Sequence, residues 1–133
     1  MFGANPYVSK SPVVGTVVAV LRGVTDSRGL YLEMLRSRAV RQHDIHELMI
    51  TDESAALEST VNRVALLVFF EVTDGGVILE HDRVMIDATE VGTVAGFDET
   101  HMPNHQNICL RGVVADGETL ALQVGQRVVI QRA

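Results

Sequence analysis

The chain has 133 residues, 47% of them hydrophobic, with no Trp, two Tyr and four Phe, which is enough to bury one aliphatic core without a second protein. Its formal charge of −6 argues against unaided binding to nucleic acid or to anionic membrane. The longest apolar run, Val64 to Phe70, falls far short of the roughly 18 to 20 residues that cross a bilayer.

Met1 to Lys10 shows no secretory pattern, and the single cysteine, Cys109, has no intrachain partner, so a reducing, cytoplasmic setting is the default expectation. Charge is unevenly spread. Residues 1–42 carry six basic side chains against two acids, a net of +4, whereas residues 43–133 carry five Arg against fifteen acids, a net of −10. Either the two halves pair across a shared surface, or Arg36, Arg38 and Arg41 line an anion-binding mouth.

Residues 1–12, with Pro6 and Pro12, read as a loose arm ahead of one domain spanning 13–133. Val13 to Leu21 is β-branched and apolar on both faces, the mark of a covered strand. Arg22 to Gly29 is a turn-rich connection, and Leu30 to Val40 continues as a strand. From Arg41 to Asn62 helix and strand compete. On a helix His43 and His46 share a face; on a strand they point to opposite sides.

Val64 to Val72 is the best candidate for a central strand, with Asp74-Gly75-Gly76 turning the chain and Val77 to Leu79 returning it. Two echoes follow. Asp82-Arg83-Val84-Met85-Ile86 is matched by Gln126-Arg127-Val128-Val129-Ile130, and Val14-Gly15-Thr16-Val17 by Val91-Gly92-Thr93-Val94. Gly15, Gly92 and Gly96 suit places where strands bend or cross closely. Ile108 to Val114 and Leu120 to Leu122, joined by a turn at Asp116-Gly117, complete the chain. The expected fold is all-β: a single small, mostly antiparallel β-barrel of roughly eight to ten short strands, with at most one short helix.

The segment Gly96 to Ile108 concentrates the chemistry. A long polar connection between apolar strands is unusual in such a fold. In an extended chain His101 and His105 would lie about 13 Å apart, too far to share a proton or an ion. Pro103-Asn104 supplies the turn that would bring them together. Two mechanisms fit. In one, His101 or His105 is the general acid or base, oriented by Asp98 or Glu99, with Asn104, Asn107, Arg36 and Arg38 binding substrate. In the other, His46, Glu47, His101 and His105 hold a divalent metal ion.

Either arrangement points to a small-molecule enzyme of lyase, isomerase, cyclase or hydrolase type. The alternative is a non-catalytic ligand-binding or assembly module in which the same groups stabilise a loop; a homo-oligomer is compatible with either reading. His81 reads as an exposed turn residue and Cys109 as a small buried hydrophobe. No nucleophile elbow, phosphate loop or dinucleotide fingerprint occurs.

His46-Glu47-Leu48, the Gly75-Gly76-Val77-Ile78 turn and Gly96-Phe97-Asp98-x-x-His101-x-Pro103-Asn104-His105-x-Asn107-Ile108 together resemble a family of small bacterial proteins of unassigned function, over residues 13–115. The resemblance implies a bacterial, cytoplasmic setting and supplies no reaction or catalytic residue. His81 departs from it, standing where a glycine would precede the aspartate.

Overall fold

Among the described residues twelve strands form: β1 Val13–Val20, β2 Val24–Thr25, β3 Leu30–Tyr31, β4 Ser37–Val40, β5 Ile45–Thr51, β6 Thr60–Val61, β7 Val64–Asp74, β8 Gly76–Leu79, β9 Arg83–Ile86, β10 Thr89–Asp98, β11 Asn107–Arg111 and β12 Arg127–Gln131. The computed structural model describes residues 10–100, 102 and 105–133, and among these there is no helix. Residues 1–9 of the expected arm, and the turn expected at Pro103-Asn104, lie outside the described residues.

The main sheet runs β1-β12-β9-β10-β11-β5-β7-β2, and β7 pairs with β1 as well, so the succession of hydrogen-bonded neighbours returns to its first strand. Every contact in it is antiparallel except β11 with β5. Val13, Val17, Leu48, Val68, Phe70, Val84, Phe97, Ile108, Leu110, Val128 and Ile130 meet in the main core, each fully buried. A second cluster, Leu30, Leu32, Met49, Val61, Val64, Ala95 and Cys109, fills the opposite face under β3 and β6.

The sequence echoes have a structural counterpart in register. Gly15 pairs with Val128 and Thr16 with Arg127, while Gly92 pairs with Val84 and Thr93 with Arg83. Between them, Val128 faces Ile86 and Ile130 faces Val84. Echoed residues thus meet echoed partners, as a local two-fold axis between β9 and β12 would arrange them. Both glycines are required by close approach: a Cβ at Gly15 would lie 2.6 Å from the Glu71 carbonyl oxygen, and one at Gly92 would lie 2.8 Å from that of Arg111.

Where helix and strand compete over 41–62, the structure has strand: β5 forms there, and every β5 residue after Ile45 is buried, so both faces are covered and no alternation marks it. Three expectations need correction. Leu30 to Val40 is interrupted because the Leu32 amide bonds to Ser59 while the Glu33 amide bonds to Phe97, two different partners. After Gly75, β8 pairs with β4, not with β7. Leu120 to Leu122 forms no strand: the Leu120 and Leu122 amides bond back to Asp116 and Gly117, while Gly117 and Glu118 are tied to Leu66 and Leu21. His81 does adopt the left-handed conformation of a turn, with φ of 77°.

Candidate functional site

Register places four side chains in one row. Asp98 pairs with Asn107, Asn107 with Glu47, and Glu47 with Phe69, across β10, β11, β5 and β7. Residues directly opposite share a face. The row therefore sets two acids, an amide and an aromatic ring side by side on the face opposite Phe70.

Asp98 at one end is 3% exposed and accepts hydrogen bonds from the Tyr31 amide (3.0 Å), the Thr100 amide (2.9 Å) and Asn107 Nδ2 (3.2 Å). Burial alone would raise its pKa, but the bonds from Thr100, Tyr31 and Asn107 outweigh it and hold the carboxyl below its ordinary value. It is an ionised anchor that ties β3 and the start of the His-rich loop to the sheet. At the other end His105 stands edge-on to Phe69, with ring centroids 5.2 Å apart at 89°. Its Nε2 lies 3.6 Å from Glu47 Oε1, and the Glu47 side chain is only 8% exposed.

The other face of β5 carries His46 against Phe70. Its Nδ1 accepts the Gln106 amide at 2.9 Å, which assigns the ring proton of the neutral form to Nε2, 3.4 Å from Asp44 Oδ2. Desolvation lowers the His46 pKa, and the Asp44 carboxylate only partly offsets it. Gln106, 2% exposed, clamps the end of the loop. Its Nε2 donates to the Asp98 carbonyl at 3.1 Å, and its Oε1 accepts Arg38 Nε at 2.8 Å. Arg38 also pairs with Glu99 at 2.8 Å.

Beside Glu47 and Phe69 lies a cavity of about 420 Å³, walled by Leu21, Gly23, Val24, Thr25, Arg28 and Leu66 as well. Its rim is the 21–28 connection, folded onto β7 by local bonding. β2 pairs Val24 with Ala65 and Thr25 with Val64, the Gly23 amide donates to Asp116 Oδ2 at 2.9 Å, and the Arg28 amide donates to the Asn62 carbonyl. An apolar concavity with a few convergent polar groups is the usual form of a small-molecule site.

The residues singled out from sequence divide accordingly. His105 and Glu47 come together. His46 and Glu47, adjacent on a strand, are directed to opposite faces. Asp98 and Asn107 bond to one another, and Glu99 and Arg38 form an ion pair. Arg36 is exposed, its carbonyl accepting the Glu80 amide. His101 and Asn104 lie outside the described residues. Among the described residues no three His, Cys, Asp or Glu side chains are grouped so as to hold a metal ion.

Sequence reasoning missed Arg28, Phe69, Gln106 and Asp44. The doublet Phe69-Phe70 was the available signal, since consecutive strand residues must send one ring to each face. Asp116, read as a hairpin turn, caps the rim of the cavity instead.

Among the described residues no helix is long and apolar enough to cross a membrane. The family model that matches the chain, over residues 7–131, is that of a family of unknown function. No curated protein and no solved structure matches the chain.

Proposed function

We propose that this chain, which belongs to the family of unknown function DUF6917, is a small-molecule enzyme whose working groups are Glu47 and His105. The observation that carries this reading is that Glu47 lines the cavity while facing His105 at 3.6 Å, with Phe69 beneath both. A ligand lying on the Phe69 ring has the Glu47 carboxylate at its edge. Glu47 then exchanges a proton with the ligand, and His105 holds the carboxylate in place and balances its charge as the proton moves.

Proton-transfer chemistry of the lyase, isomerase or cyclase kind is what such a pair performs. In this reading the orienting role lies with His105, while Asp98 serves three hydrogen bonds and Glu99 pairs with Arg38. The return of the pairing sequence through β7 and β1 supports reading the main sheet as a closed barrel, with the cavity on its outer wall. A reducing, cytoplasmic setting is consistent with Cys109, a buried free thiol.

A second reading is a ligand-binding module without turnover. It is favoured by the in-chain bonding of Asp98, Asn107 and Gln106, which makes much of the polar loop structural. The test is to incubate the wild type, E47Q and H105N with a small-molecule extract and follow its components by mass spectrometry. The enzyme reading expects at least one component converted by the wild type and spared by both variants. Retention of a component without conversion favours the binding module, and conversion by E47Q at the wild-type rate refutes the role of Glu47.

A further inference from the structure

We infer that the cavity takes a ligand made of an apolar body and a single carboxylate, with Arg28 as the residue that binds the carboxylate. The inference rests on the reading of the cavity as the functional site and goes further by naming the ligand's class. Arg28 lines the cavity, yet its Nε is buried with no hydrogen-bond partner among the described residues. Lining an apolar wall with no ion pair among the described residues, the Arg28 guanidinium is a standing counter-charge for a bound anion.

The surroundings withhold the usual partners. Asp26, the nearest acid in sequence, is engaged by Arg63 at 3.0 Å, and no ion pair to Arg28 forms among the described residues. The Arg28 backbone is meanwhile fixed, its amide bonded to the Asn62 carbonyl and the next amide, that of Gly29, to Asn62 Oδ1 at 3.2 Å. The side chain is thus anchored at its root, with no ion pair among the described residues.

The remaining walls specify the rest of the ligand. Leu21, Val24, Leu66 and Phe69 offer aliphatic and aromatic surface, and Arg28 is the cavity's only cationic wall residue among those described. One guanidinium matches the two oxygens of a carboxylate through paired N–H bonds. A phosphate dianion would ask for further donors, and Glu47 on the same wall would oppose its second charge. Arg36, Arg38 and Arg41 do not line this cavity. Arg38 is committed to Glu99 and Gln106, and Arg41 stands 4.0 Å from Asp44 at the far end of β4.

The test compares two probes of equal shape, 4-phenylbutyrate and 4-phenylbutanamide, by NMR titration of the full chain. Resonances of Leu66, Phe69 and His105 report occupancy. In the wild type the acid is expected to bind at least about tenfold more tightly than the amide. R28M should bring the acid's affinity down to that of the amide, while R28K, keeping the charge without the fork, should retain part of the preference. Equal affinity of the wild type for acid and amide would overturn the carboxylate assignment and leave the cavity as a site for neutral ligands. If neither probe moves Leu66, Phe69 or His105, both this inference and the cavity reading fall.

Discussion

Replacing Asp98 with alanine removes the acceptor for three donors at once. Tyr31 and Thr100 are themselves exposed, so water can rescue part of the loss at their amides, but the Asn107 side chain is fully buried and cannot be rescued. Hydrogen bonds to a charged group are worth about 1.5–3 kcal/mol each and a buried orphan costs about 1–3 kcal/mol, so a loss of about 3–4 kcal/mol is expected for D98A. For a chain of this length that is a fall in Tm on the order of 10–15 °C. D98N keeps one acceptor oxygen but turns a donor towards donors, for a loss of about 2 kcal/mol.

Urea unfolding followed by circular dichroism measures both values. The same experiment repeated against pH tests the cause. Because the folded carboxyl has a pKa below its ordinary 3.8, the unfolded chain binds more protons in the interval between the two values. The stabilisation is therefore complete above that ordinary value and is lost as pH falls through the lowered folded pKa, and D98N should show a shallower acid limb. A D98A variant within about 0.5 kcal/mol of the wild type would refute Asp98 as the anchor of the loop.

His46 should titrate below its ordinary 6.5 in an NMR pH series, since burial disfavours its charged form. With the folded pKa lowered, its contribution is present above 6.5 and is lost as pH falls towards the folded value; a titration above 6.5 would contradict the burial argument. G15A and G92A should each destabilise by about 2 kcal/mol or more, because a Cβ meets a backbone carbonyl in both cases, and unfolding of both variants checks whether echoed positions cost alike. Cys109 is fully buried with its thiol pushed up to about 12 by desolvation, so the native protein should resist thiol-reactive dyes and react only on unfolding; rapid native labelling would contradict this.

The all-β character was legible because β-branched Val is the commonest residue of the chain, and the echoed segments carried real information about register. Where both faces of a strand are buried, as along β5, alternation disappears and helix and strand look alike in sequence. Loop partners were less accessible still. Asp-Gly at 116–117 has the composition of a hairpin turn, yet its carboxylate serves Gly23 and Thr119, a choice set by residues 93 positions away in the first case.

The site was legible in its residue types and only partly in its grouping. His105 and Glu47 were both selected, but pairing them depends on the parallel register of β11 with β5, a non-local feature. The same register sends His46 inward, away from Glu47. Arg28 had no distinguishing neighbour in sequence; it matters because the 22–29 connection folds back along β7.

The claim that Glu47 and His105 act as one unit on a ligand in the cavity is tested most directly by the turnover rate of the E47Q/H105N double variant against the two single variants, on whichever component the wild type converts. If they form one proton-transferring pair, the double variant loses no more than about tenfold beyond the worse single variant. Losses that multiply, with each residue contributing independently, would contradict the account.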